Sequence, residues 1–215
     1  MSRILIIGGH GKVALRLEPL LAERGDDVTA VIRNADHEAE VAATGAAALV
    51  ADVESADLDA MTGLLDGYDA VVWTAGAGGG DAARTWAVDR DAAIRSMDAA
   101  VAAGVRRYVM VSYFGAGPDH GVPEDDSFFA YAEAKAAADS HLRETDLDWT
   151  IVAPSALTLD EPTGTITVGG SGEKSVPRGD VAAVIAAVLA EPATVGRMIE
   201  FTGGETPIAE ALAAD

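Results

Sequence analysis

"LIIGGHGKVALRL", residues 5–17, leaves an apolar run, passes a glycine-rich turn and enters a helical pattern. Gly8, Gly11 and Ala14 stand at the spacing G-x-x-G-x-x-A. The first glycine permits the tight turn out of a strand. The second lets the backbone approach a pyrophosphate with no Cβ in the way, and the small third residue lets the helix pack close on the strand. Free N–H groups at the helix start, at the positive end of its dipole, then face the phosphates. The loop predicts a dinucleotide held by Gly8, Gly9, His10, Gly11, Lys12 and Val13. Glycine turns follow the first strand of many α/β folds, so the flanking sequence must decide.

Outward from this loop the chain alternates. "RILIIG" (3–8), "VTAVIR" (28–33), "AALVAD" (47–52), "AVVWTAG" (70–76), "RYVMVS" (107–112) and "WTIVAP" (149–154) are nearly continuous in apolar residues. That is the pattern of parallel strands covered on both faces. Helical patterns lie between them at 12–24, 36–44, 57–65, 84–103 and 129–145, with Ile94, Met97 and Val101 at helical spacing. Gly25, Gly45, Gly67 and Gly104 end four of these helices, where a left-handed cap belongs. Such alternation implies right-handed crossovers and a three-layer α/β fold around a doubly wound parallel sheet. After Pro154 the pattern loosens: 164–177 reads as a hairpin or loop, 178–192 as a helix and 197–204 as a final strand. This tail of roughly 60 residues is too short for a second domain. Residues 1–215 therefore read as one domain, with 155–215 a short extension of it.

The acidic residues number 35 against 15 basic ones, a formal net charge of −20. A polyanion is repelled by that field and no basic stripe offsets it, which argues against nucleic acid as a partner. No apolar run approaches the length of a membrane span, and the N-terminal one is too short for a secretory leader, so a cytoplasmic location is expected. The chain has no cysteine, which removes disulfides and thiolate chemistry. His10, His37, His120 and His141 show no metal-ligand spacing, so no metal site is expected, and His120 has no partner visible in the sequence.

An NAD site usually ends its second strand in an acid that binds the ribose 2′-hydroxyl; here Arg33 and Asn34 stand there. A planar cationic fork suits the 2′-phosphate of NADP, which makes NADP the expected cofactor and NAD the less favoured one. Ligands bind outside the carboxyl ends of parallel strands, so Asp52 and Val53 are expected beside the adenine. Thr74, Ala75 and Gly76, followed by "AGGG" (77–80), are expected beside the ribose and nicotinamide. Pro154, at the end of the sixth strand, belongs to the same rim.

"FFAYAEAKAAADSHL" (128–142) puts Tyr131 and Lys135 on one helical face. An ammonium within a turn stabilises a phenolate, so the pair can serve as an acid–base couple. The plain alternative is a packed tyrosine and a lysine paired with Asp139 one turn on.

In order along the chain, the glycine loop, Asp52-Val53, "VDRDAAIRSMDAAVAAGVRRYVMVS" (88–112), Tyr131-x-x-x-Lys135, "LDWTIVAP" (147–154) and "RGDVAAVIAAVL" (178–189) resemble the short-chain dehydrogenase/reductase superfamily. The likeness is to its atypical branch of small Rossmann proteins, similar to the NAD-dependent epimerase/dehydratase-like and flavin-reductase-like members. The resemblance implies an NAD(P)-dependent oxidoreductase in which Tyr131 is the acid/base, Lys135 lowers its pKa and also holds the nicotinamide ribose, and Ser112 polarises the substrate oxygen. It implies that 155–215 shapes the substrate side. A tail this short points to a small or flat carbonyl, quinone or flavin-like molecule. Residues 115–129 form a candidate lid. Relatives occur as monomers and homodimers. A non-catalytic NADP-binding redox sensor, or an epimerase or dehydratase with retained cofactor, would use the same framework. Three positions depart from the family pattern: Tyr113-Phe114 follow Ser112, Val88-Asp89 replace an asparagine often found near the fourth helix, and Ala153 precedes Pro154.

Overall fold

Aliphatic runs become buried strands because a strand covered on both faces can expose nothing polar. In the computed structural model, which describes residues 1–78, 81–170, 172 and 174–213, Ile4 to Ile7 and Ala70 to Trp73 are buried throughout. The first strands are β1 (Arg3–Ile7), β2 (Asp27–Ile32), β3 (Ala47–Val50), β4 (Ala70–Trp73), β5 (Arg107–Val111) and β6 (Asp148–Pro154). Further on come β7 (Leu157–Thr158), β8 (Thr165–Val168), β9 (Val176–Pro177), β10 (Arg197–Gly203) and β11 (Thr206–Pro207). The large sheet runs β11-β8-β10-β6-β5-β4-β1-β2-β3. From β3 to β10 every pairing is parallel; β8 joins β10, and β11 joins β8, antiparallel. The chain winds outward from β1 to β3, then returns to build β4, β5 and β6 on the other side. A crevice therefore opens at the carboxyl ends of β1 and β4.

Alternate strand residues serve opposite layers, as the period of two requires. Ile4 and Ile6 join α1 (Ala14–Glu23) and α7 (Arg178–Ala190) in one core, through Leu17, Leu21, Val181 and Ile185. Leu5 and Ile7 join α3 (Leu58–Leu65), α5 (Ala93–Ala103) and α6 (Phe129–Glu144) in the other, through Met61, Met97 and Leu142. The glycines at 25, 45, 67 and 104 all take positive φ, as expected of helix ends. The remaining helices are α2 (Glu38–Ala42), α4 (Ala82–Thr85) and α8 (Ile208–Ala213). No helix among the described residues is long and apolar enough to cross a membrane.

Two expectations change. The helix read at 84–103 is interrupted by a π-helical stretch, Trp86–Ala92, between α4 and α5. The segment 164–177 does not fold on itself: β8 pairs with β10, while β9 pairs in parallel with β7. Strands of two to four residues carry too little period to be read. Residues 171 and 173 of that segment, and 79 and 80 of the glycine run, lie outside the described residues.

Candidate active site

The glycine loop is fixed by close approach. Gly8 has φ of +92°, and a Cβ on it would lie 2.6 Å from the backbone of Ala75. A Cβ on Gly9 would lie 2.5 Å from that of Ala30. The N–H groups of Gly8 and Gly9 both donate to the carbonyl of Val31, at 3.2 and 2.9 Å. The loop thus clamps the ends of β1, β2 and β4, and two clefts open on either side of it. One, of about 350 Å³, is lined by Gly8, His10, Gly11, Arg33, Asn34, Asp52 and Val53. The other, of about 560 Å³, is lined by Lys12, Val13, Asp89, Ser112, Tyr131, Lys135 and Arg178. Gly11, Thr74, Ala75 and Gly76 belong to both, so the two form one trough across the switch point of the sheet.

The first cleft carries a cluster of titratable groups. His10 stacks on His37 with ring centroids 3.5 Å apart, and its Nε2 lies 2.7 Å from Glu40. Arg33 lies 3.7 Å from Glu54, which also takes Arg84 at 3.2 Å. Asp52 accepts bonds from the Glu54 N–H and the Ser55 hydroxyl, holding its own turn. Behind His10, Glu18 is fully buried, and burial raises its pKa to about 7 against the Thr44 hydroxyl bond and the His10 charge. Of the residues read for the phosphate and adenosine end, all but Gly9 line this trough; Gly9 packs on Ala30 and bonds the Val31 carbonyl behind it.

To the second cleft α6 presents Tyr131 and Lys135, four residues apart, with Asp139 fully buried one turn further along the same row. Lys135 is 1% exposed, and its Nζ donates to the carbonyl of Val111 at 2.7 Å and contacts the Met110 sulfur at 3.1 Å. Ser112, placed just past β5, donates its hydroxyl to Asp139 Oδ2 at 2.5 Å. Asp139 is fully buried, and its Oδ1 has no partner among the described residues. From the π-helical stretch, Asp89 accepts the N–H of Ala77 at 2.9 Å, holding the loop after β4 against the trough. Extra residues in a helical turn often mark such sites.

Burial, with these charges, runs against one expectation. Tyr131 is pushed above the ordinary phenol value, first by burial and then by the charges of Asp89 and Asp139 and by Tyr113. Burial lowers Lys135, while Asp139 and Asp89 oppose that shift. Burial raises Asp139 and Asp89, against the pull of Lys135 on both. The ammonium is bonded at the end of β5 and shares its charge with two buried carboxyls, while burial holds the phenol above its ordinary value. Asp139 and Asp89 were not among the residues expected at the site. The spacing Tyr131–Lys135–Asp139 was the available signal for the first, and nothing in the sequence announced the π-helical stretch that places the second.

A third cleft, of about 460 Å³, adjoins the second, and Ser112, Phe128, Tyr131 and Leu157 line both. Its walls add Tyr113, Phe114 and Pro154, so Pro154 lies on this side rather than in the dinucleotide trough. Tyr113, Phe128 and Tyr131 pack as a triad with centroids 5.1 to 5.6 Å apart. His120 does have partners: its Nε2 lies 2.9 Å from Glu133, and its Nδ1 accepts the Val122 N–H at 3.0 Å. Nε2 therefore carries the proton, and the segment 115–129 is pinned to α6 by that bond.

A doubly wound sheet with a glycine-clamped trough at its switch point defines a dinucleotide-binding Rossmann protein. The chain belongs to the NAD(P)H-binding family whose model matches residues 8–192. It is 34% identical over 214 residues to YhfK of Bacillus subtilis, named as a sugar epimerase of uncharacterized activity, with 98% of each chain covered. A solved Bacillus halodurans protein, provisionally named an NAD-dependent epimerase/dehydratase, is 34% identical with a TM-score of 0.91 over 99% of both chains. The oxidoreductase ylbE of Lactococcus lactis is 30% identical, with a TM-score of 0.86 over 99% of this chain and 95% of its own.

Proposed function

We propose that the protein is an NADP-dependent oxidoreductase acting on a small, flat carbonyl, quinone or flavin-like compound. One observation carries the reading. The dinucleotide trough and the aromatic cleft meet at Ser112, Phe128, Tyr131 and Leu157, so a planar substrate can lie beside the cofactor. Aromatic residues are only 5% of the chain, yet four of them line this one cleft, and aromatic walls favour flat partners. The trough fits the cofactor: a Cβ at Gly11 would crowd the Gly8 carbonyl at 3.0 Å, and while the N–H groups of Gly8, Gly9 and Gly11 are taken by backbone carbonyls, those of His10, Lys12 and Val13 remain to face a pyrophosphate. His10 and Arg33, at the end of β2, support the 2′-phosphate and hence NADP over NAD. Asp52, Val53, Thr74, Ala75 and Gly76 would line the nucleoside portions.

When bound, the nicotinamide supplies or accepts a hydride. The residues manage the oxygen of the reacting carbonyl. Tyr131 and Ser112 donate hydrogen bonds to it, and Lys135 keeps the pocket from carrying two uncompensated carboxylates. Leu157, Gly172 and Arg178 reach the clefts from beyond Pro154, which supports 155–215 as the substrate side of the same domain. The names of the relatives support a second reading, an epimerase or dehydratase with retained cofactor. Net consumption separates the two: the oxidoreductase oxidises NADPH in the presence of 1,4-naphthoquinone, riboflavin or a small aldehyde, and the alternative does not. Tyr131→Phe should lower turnover by about 100-fold or more while NADPH affinity stays within about twofold. Retained turnover would refute the assignment.

A further inference from the structure

Resting on that reading, we propose that the proton delivered to the substrate oxygen is stored on Asp139 and passes through the hydroxyl of Ser112, with Tyr131 acting as a hydrogen-bond donor beside it. The geometry supplies each link. Ser112 opens on both the cofactor-side and the aromatic clefts, at the point where they meet. Its Oγ lies 2.5 Å from Asp139 Oδ2, at the short end of O–H···O bonds. Asp139 is fully buried behind it, and its second oxygen has no partner among the described residues. An ionised carboxylate with an orphaned oxygen in a dry site carries a large desolvation cost, which the neutral acid avoids.

Charge counting points the same way. Around one buried ammonium, Lys135, stand two buried carboxyls, Asp139 and Asp89, and its charge acts on both. The cluster is neutral when one of the two holds a proton. The groups facing Asp139 are Lys135, Tyr131 and Arg143 from α6, and Ser112 and Tyr113 from the turn after β5. Burial raises Asp139 more than Lys135, the Ser112 bond and Arg143 lower it. Tyr131, raised above an ordinary phenol first by burial and then by the same carboxyls, is a poor proton source near neutrality.

The transfer balances. As the substrate carbon is reduced, the C=O π pair moves onto oxygen. With Asp139 protonated, the bond that Ser112 otherwise donates reverses: Oδ2–H donates to Oγ, and the hydroxyl turns to the substrate. The substrate oxygen then takes the Ser112 Oγ proton, Oγ takes the Asp139 Oδ2 proton, and Lys135 offsets the charge of the new carboxylate. Solvent entering the open cleft after product leaves restores the proton through Ser112. Asp139 works through Ser112 and is a positioning and storage residue, since it touches no substrate.

The test joins two readouts. Carboxyl-carbon NMR titration of ¹³C-aspartate-labelled apo protein should show an aspartate that stays protonated well above the ordinary carboxylate range and is missing from Asp139→Asn. The pH profile of NADPH oxidation with 1,4-naphthoquinone should fall on its alkaline side in wild type. In Asp139→Asn that limb should vanish, with turnover down about 100-fold. Ser112→Ala should act alike, and Ser112→Thr, which keeps the hydroxyl, should restore the profile. An Asp139 resonance that titrates as an ordinary aspartate overturns the relay whatever the activity. Equal turnover and profile in wild type and Asp139→Asn overturns it while leaving the oxidoreductase reading in place. A wild-type protein that binds NADPH and reduces no acceptor overturns that reading, and the delivery step with it.

Discussion

Replacing Lys135 by methionine keeps the length of the side chain and removes its charge. Lys135 is 1% exposed, and its Nζ holds the Val111 carbonyl at 2.7 Å. The variant leaves that carbonyl without its donor, a loss of about 1–3 kcal/mol. It also strips the cation from two buried carboxyls, and removing one side of a buried charge arrangement costs about 3–5 kcal/mol in all. The sign with pH follows from proton binding. Asp139 and Asp89 have folded pKa values raised above their unfolded ones. The folded state therefore holds more protons than the unfolded chain between the two values, and stability falls as pH rises through that window. Without Lys135 both carboxyls rise further, so the window extends upward. The lowered pKa of Lys135 itself acts in the same direction, because its loss removes a gain of wild-type stability at high pH. At pH 8 the full 3–5 kcal/mol should appear, a drop in Tm of about 6–20 °C for a chain of this size. At pH 5 the carboxyls take up protons and only the carbonyl term remains. Thermal unfolding followed by circular dichroism at both pH values, beside wild type, measures the difference. A loss at pH 5 equal to or larger than that at pH 8 would refute the coupling of these three groups.

Arg33→Ala should weaken NADPH binding by about tenfold, the lower end for a charged hydrogen bond, because Arg33 is exposed and shared with Glu54. NADH binding should barely change; calorimetric titration with both tests it, and equal losses would remove Arg33 from the 2′-phosphate. Glu18, raised to about 7, binds more protons folded than unfolded between its ordinary value and there, so wild type loses about 3 kcal/mol as pH climbs through that span. Glu18→Gln should flatten the trend in urea midpoints between pH 5 and 8, and an unchanged slope would show that Glu18 is ionised in the fold. Gly9→Ala puts a Cβ 2.5 Å from that of Ala30 and should cost about 1–3 kcal/mol by overpacking, with weaker NADPH binding. A urea midpoint equal to wild type would show that the loop yields without strain.

The parallel core was legible because its strands are buried on both faces and leave long apolar runs, and because glycines mark the helix ends. The phosphate loop was legible for a related reason. Gly8 and Gly9 are demanded by close approach to Ala75 and Ala30, and close approach leaves a spacing that sequence displays. The edge beyond β10 was not legible, since β8 and β11 acquire their identity only by pairing with a strand some thirty residues away or with each other. The π-helical stretch at 86–92 carries no local signature, so Asp89 could be noted only as a departure. The direction of the Tyr131 shift was hidden for a different reason. Spacing gives the neighbours along one helix, whereas the burial that dominates the phenol, and part of the charge that adds to it, come from segments packed across it.

That packing depends on residues with no chemistry of their own. Ala132, Ala134 and Ala138 on α6 and Ala92 opposite are fully buried, and side chains this small let the helix backbone come close to the π-helical stretch. Close approach excludes water from Lys135 and Asp139, and without water each charge is set by its few neighbours rather than by solvent. The same Tyr-x-x-x-Lys on a solvated helix would hold a lysine near its ordinary pKa and a carboxylate free to ionise. Here the alanines couple three titratable side chains into one unit. The chemistry of the cleft is therefore a property of the packed pair of segments, and the motif alone does not display the burial of its lysine.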